Sequence, residues 1–211
     1  MLKVHVLLKG VTPILMNNGE SIDEDSLNSG TQIKKVKGTK DKEADEKIEV
    51  EKKMYKLADG RLYVPTINIR AAYIQGCGSS YKLGKGKFAP SLKNEMSGLI
   101  RAIDPEDCLL LTSDGKQLTD RDVVIDKRRG VNPNTGNAII IKRPRINPPW
   151  ELEFVIIFDD TRIDESALSM FEDVMKRAGA CIGICDFRPG SPKNKIGWFG
   201  KFDVEKFEKI G

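Results

Sequence analysis

The chain has 211 residues, 39% hydrophobic and 31% charged, with 35 Lys and Arg against 31 Asp and Glu for a net charge of +4. That is enough apolar material for a core in one domain over 1–211, with room for large insertions, and it excludes wholesale disorder. The longest apolar run, near 154–158, is far below the roughly 20 residues of a membrane span, and MLKVHVLLKG lacks the apolar stretch and cleavage site of a signal peptide, so the expectation is a soluble cytoplasmic protein with no membrane partner.

Residues 2–9 alternate as a half-buried strand that breaks at Gly10 and turns at Thr12-Pro13. Residues 20–58 read as a charged insertion, irregular at first and helical over about 41–56, where Glu43–Lys47 and Glu49–Lys53 have (i, i+4) spacing. A short strand at 61–65 enters a loop, and Thr66 is expected to cap a helix over 67–76. A glycine- and lysine-rich loop follows at 76–87, then a helix over about 91–101 and a strand at 108–112. Residues 121–129 and 138–146 read as two strands of an extended β-hairpin, with turn residues at 130–137 between them. A central strand is predicted over 150–158. A helix capped by Asp164 covers 165–178, with Leu168, Phe171, Val174 and Met175 on one face, and Gly179 ends it. A glycine-rich loop at 182–202 feeds the last strand.

Stripped of insertions, the order is strand, helix, strand, strand, helix, strand. That is an α+β pattern, a ferredoxin-like or RRM-like core with large insertions and an extended basic β-hairpin. The cysteines at 77, 108, 181 and 185 make no zinc spacing, and the one histidine, His5, sits on a strand. Buried reduced thiols, no metal and no cofactor are expected. A Walker loop, HExxH and GxSxG are all absent, and Gly84-Lys85-Gly86 does not continue into a dinucleotide fingerprint.

The charge is localised. Residues 121–145 carry seven basic and two acidic side chains, a local excess larger than that of the whole chain. Three segments combine glycine, basic charge and aromatic rings: 76–88, 121–145 and 182–202. Lys and Arg neutralise phosphate, glycine lets backbone approach closely, and rings stack on unpaired bases. The candidate nucleic-acid contacts are Tyr81, Lys82, Lys85 and Lys87 in the first segment. Lys127, Arg128, Arg129, Lys142, Arg143 and Arg145 lie in the second, and Arg188, Lys193 and Lys195 in the third. Trp150 and Trp198 are assigned to the core rather than to stacking.

Two motifs carry a resemblance: the opening strand with 8–15, LKGVTPIL, and 64–72, VPTINIRAA, entering a helix. With the long basic hairpin and the glycine-rich loop at 183–200, the sequence resembles the RAMP superfamily, RRM-derived proteins of CRISPR effector complexes, and most of all a compact relative of their repeating backbone subunit. It departs from that pattern in its length, in Ala71 where glycine is common, and in a sparser terminal loop. The resemblance adds Arg70 to the candidate contacts. It implies a non-catalytic protein that binds single-stranded RNA or DNA, RNA favoured, and assembles side by side as a homo-oligomer or filament, with other ribonucleoprotein subunits as further partners. Two alternatives stay open: a metal-dependent endoribonuclease of the same superfamily, using loop aspartates such as Asp23, Asp25 or Asp186, and a protein-interaction or viral structural component whose hairpin docks on an acidic partner.

Overall fold

The computed structural model describes residues 1–19, 42–84, 89–131, 135–163, 165–191 and 197–210. The first half of the charged insertion, with Asp23 and Asp25, lies outside them, as do Lys85, Lys87, Asp164, Lys193 and Lys195.

Strand β1 (Leu2–Gly10) forms by alternation: Leu2, Val4, Val6 and Leu8 are buried, and His5 and Leu7 turn to the opposite face. It lies between β8 (Glu151–Phe158) and β9 (Phe202–Ile210), antiparallel to both. Along the other side of β8 run β4 (Ile100–Asp104) and β5 (Asp107–Leu111), one after the other. β3 (Tyr63–Pro65) adds outside β5, giving the order β3-β5-β8-β1-β9. Helices α2 (Thr66–Gly76) and α4 (Leu168–Arg177) pack on the face that carries Phe158. The Phe158 ring meets Phe171 of α4 at 4.9 Å and Tyr73 of α2 at 6.4 Å, and the Tyr73 hydroxyl donates to the Phe171 carbonyl. The chain order β1, α2, β4–β5, β8, α4, β9 is the ferredoxin-like arrangement.

A second sheet has the order β2-β7-β6, from β2 (Ile14–Leu15), β7 (Ala138–Ile146) and β6 (Val124–Val131). It is joined to the first where β1 ends. There the Trp150 ring is fully buried and its indole N–H donates to the Thr12 carbonyl at 2.9 Å. A Cβ on Gly10 would lie 2.1 Å from that ring, so only glycine lets β1 pass it. Helices α1 (Lys42–Glu51) and α3 (Leu92–Leu99) complete the described elements. No described helix is long and apolar enough to cross a membrane.

Several boundaries differ from expectation. Thr66 is the first buried residue of α2 and makes no side-chain cap. The helix expected to reach Arg101 stops at Leu99, because Ile100 is drawn into pairing with Phe158. The strand expected from Arg121 begins at Val124, since 120–122 form a 3-10 turn closed by a Thr119–Asp122 capping box. Gly179 does not end α4: a π-helical turn, Ala178–Ile182, carries on to Gly183, whose φ of 70° stops it. Cys181 is exposed, unlike the other three cysteines.

Candidate nucleic-acid interface

The hairpin register sets Lys127 opposite Lys142, Arg128 opposite Ile141 and Arg129 opposite Ile140. Alternation then sorts the side chains onto two faces. Lys127, Arg129, Ile140 and Lys142 share one; Asp126, Arg128, Ile141, Arg143 and Arg145 share the other.

On the first face two lysines directly opposed would repel. Glu46 of α1 lies between them, 2.6 Å from Lys127 and 3.1 Å from Lys142, and Glu49 stands 3.6 Å from Lys142. The hydrogen bonds from Lys127 and then Lys142 hold the Glu46 carboxyl below its ordinary range. Further out, Arg129 is exposed, and so are Ile140 and Val131 at 68% and 63%.

On the second face Arg128 forks onto Asp126 at 2.6 and 3.0 Å, and Asp126 is buried. Arg145 approaches the same carboxylate at 3.8 Å and donates to the Asn147 side chain. The Arg128 guanidinium lies 4.5 Å from the centre of the Phe199 ring and 5.9 Å from that of Phe187. Arg143 pairs with Asp186 and stands 6.0 Å from Phe187. The terminal loop is thereby fixed to the hairpin root. Its corner carries left-handed backbone at two non-glycine residues, Cys185 (φ 61°) and Phe187 (φ 54°). That strain is offset by the Asp186 amide donating to Leu15, its carboxylate accepting from the Phe187 amide, and the arginine stack on the Phe187 ring.

Trp198 was expected in the core and is instead 52% exposed, its ring 5.2 Å from Phe199. Arg188 is half-buried, and its Nε has no hydrogen-bond partner among the described residues. The structure therefore joins the hairpin and the terminal loop on one face, through the Arg128–Phe199–Trp198 stack, and leaves Arg129 and the apolar tip on the opposite face.

The remaining candidates sit elsewhere. Arg70 donates to the Ser97 carbonyl at 2.7 Å, tying α2 to α3, and lines a groove with Thr66, Ile67 and Arg101. Tyr81 packs its ring against the core and accepts the Leu92 amide on its carbonyl, so it is no free stacking platform. Lys82 forms a β-bridge with Ser91. At the C-terminal end of α2 the Gly76 carbonyl is taken by Arg177.

The hairpin is not the free basic arm that its composition suggests. Lys127, Arg128, Lys142, Arg143 and Arg145 all have acidic neighbours, while Arg129 is exposed and has no acidic partner among the described residues. Sequence reasoning did not place Glu46 or Asp186 against the hairpin, nor Phe187 and Phe199 against its arginines. Asp126 was legible, two residues before Arg128 on one strand face; Glu46 and Asp186 carry no local signal. The open face of the main sheet holds no ring stack on its two central strands either. It presents Leu7, Val155 and Ile157, with His5 bonded to Glu153 at 2.7 Å, whereas RRM-type readout places aromatic rings there. Among the described residues no three His, Cys, Asp or Glu side chains gather as a metal cage.

No family model matches this sequence, and no curated protein matches it. Among solved structures, the chain is similar to one chain of the cryo-EM structure of the Type III-B Cmr-beta bound to cognate target RNA. The TM-score is 0.51 at 16% identity, over 99% of this chain and 60% of that one. The chain thus spans about three fifths of that neighbour's length. At this identity the likeness is one of fold, a mixed α+β architecture with antiparallel sheets and a ferredoxin-like core.

Proposed function

We propose that this protein is a RAMP-type subunit that binds single-stranded nucleic acid, RNA favoured, without cutting it, and works within a CRISPR-type ribonucleoprotein. On this reading the chain is one RRM-like domain into which 20–58 and the hairpin at 121–146 are inserted. The observation that carries it is the exposed Trp198 ring beside the Phe199–Arg128 stack, at the root of the basic hairpin. A base can stack on the indole on this face, while the exposed Arg129 meets a phosphate from the opposite face of the hairpin, and Arg188 is proposed as a further contact from the terminal loop. The fold likeness to a chain of an RNA-bound CRISPR complex supports the same reading. Arg70, Lys82, Lys85, Lys87, Lys193 and Lys195 are proposed as secondary contacts along the strand. Side-by-side assembly is supported by Val131 and Ile140, apolar and exposed at the hairpin tip.

An endoribonuclease reading finds less support. Asp186 is occupied by Arg143 and by the Phe187 amide, so it is not a free carboxylate for a metal.

The test is binding to single-stranded RNA, single-stranded DNA and duplex across a salt series. Single strands are expected to bind more tightly than duplex. Trp198→Ala is expected to weaken single-strand binding by about 5- to 150-fold, the equivalent of the roughly 1–3 kcal/mol lost with one stacked base. Equal affinity of the Trp198→Ala protein for single strands would overturn the assignment of this surface.

A further inference from the structure

The sheets end in edges of very different character. β3 is three residues long and contains Pro65, a poor template for pairing. β6 carries Lys127, Arg128 and Arg129 in succession, so an antiparallel copy of itself would bring like charges together. β9 is different. It is nine residues long and pairs with β1 alone among the described strands, so its outer edge has backbone donors and acceptors to offer.

We propose that β9 is a homodimerisation edge: two copies pair antiparallel through it, centred on Phe207, and the main sheet runs on from one protomer into its partner. This goes beyond the nucleic-acid reading and does not depend on it.

The occupant is a second copy because the strand is self-complementary in one register only. With Phe207 opposite the partner's Phe207, Lys206 faces the partner's Glu208 and Glu208 faces the partner's Lys206. A shift by one residue would turn each side chain to the wrong face, and either shift by two residues places like charges opposite each other, Lys206 with Lys206 or Glu208 with Glu208. Opposed charges stabilise a cross-strand pair and like charges destabilise it, so the pattern selects both the partner and the register. Lys206 and Glu208 are exposed, and Phe207 is half-buried against the core, so the strand is already shaped before a partner arrives. Such a contact is isologous: the same patch serves both copies and closes on itself as a two-fold dimer. Glu205 is the extra residue of a β-bulge, where the pairing steps from Leu7–Lys206 to Leu8–Val204. The bulge limits the ladder at one end and leaves 206–210 regular.

Lysines and bulges also serve elsewhere to keep edges unpaired. Charge reversal separates the two roles. The full-length protein, free of nucleic acid, is examined by sedimentation velocity over a concentration series. Wild type is expected to pass from monomer to dimer. Lys206→Glu and Glu208→Lys are each expected to raise the dimer dissociation constant by at least about tenfold, because two symmetry-related attractions become repulsions. The double variant K206E/E208K exchanges the charges and is expected to restore the dimer. A wild-type monomer at every concentration overturns the proposal. So does a single reversal that leaves the dimer intact, or a double variant that stays monomeric with native circular dichroism. Affinity for a short single-stranded oligonucleotide, measured on the same variants, is expected to be unchanged, so failure here is distinguishable from failure of the nucleic-acid reading.

Discussion

Three of the four thiols are buried in the core, and burial is the leading cause of their raised pKa values. Cys77 is pushed up to about 11, and Cys108 and Cys185 to about 12. A neutral buried thiol is a poor nucleophile, whereas Cys181 sits exposed on the π-helical turn after α4. A thiol reagent at mildly alkaline pH is therefore expected to modify one cysteine per chain quickly and the rest only after unfolding. Cys181→Ser is expected to remove the fast phase; a fast phase that survives would contradict the burial of the others. The same groups give stability a direction with pH. Their folded pKa values are raised above the free thiol's 9.0, so the folded chain keeps protons that the unfolded chain loses. The thiols' contribution is complete below about pH 9 and drains away as pH rises toward 11 and 12.

At the scale of the element, the hairpin divides its work by face. Arg128 and Arg129 are adjacent, yet one is forked onto a buried carboxylate and stacked on Phe199 while the other is exposed. Arg128→Ala leaves Asp126, among the described residues, with the distant Arg145 as its remaining cation, and is expected to lower stability by about 1–3 kcal/mol, the cost of a buried polar group left unpaired. Arg129→Ala is expected to stay within about 0.5 kcal/mol of wild-type stability, as surface changes usually do. It should instead flatten the slope of log affinity against log salt by about 0.7, the value of one phosphate contact on a single strand. Thermal unfolding and a salt titration of both variants check this division. An unchanged salt slope for Arg129→Ala would take the hairpin tip out of the interface.

For the whole molecule, the question is what covers the apolar end of that hairpin. Ile140 and Val131 share a face with Arg129 and are exposed, while Glu46 and Glu49 of α1 engage the Lys127–Lys142 pair nearer the root. Exposed aliphatic residues beside a basic one suit a neighbour aligned on the same nucleic-acid strand, where tethering raises the effective concentration of the next copy. Cooperative binding to long single strands is expected, with weaker binding to short ones. Ile140→Lys should reduce the cooperativity more than it reduces the affinity of one copy for a short oligonucleotide. Mass photometry on strands of increasing length decides it: one bound copy at every length would remove the assembly.

The sequence alone determined the elements whose periodicity is unambiguous. β1 and β8 are legible because alternate residues must face one core, the hairpin because turn residues separate two β-rich runs, and α4 because Phe171, Val174 and Met175 recur at helical spacing. Their order was enough for the ferredoxin-like class. Tertiary contact decided the rest. Ile100 leaves a helix-compatible stretch because β8 offers it a strand partner, and Trp198 stays 52% exposed while its neighbour Phe199 takes the buried place in the loop. Above all, the basic charge of 121–145 was legible as a sum, but which cations remain available depends on Glu46, Asp126 and Asp186. Two of those reach the hairpin from distant parts of the chain, and an ion pair between such segments exists only once the fold has closed the loop between them.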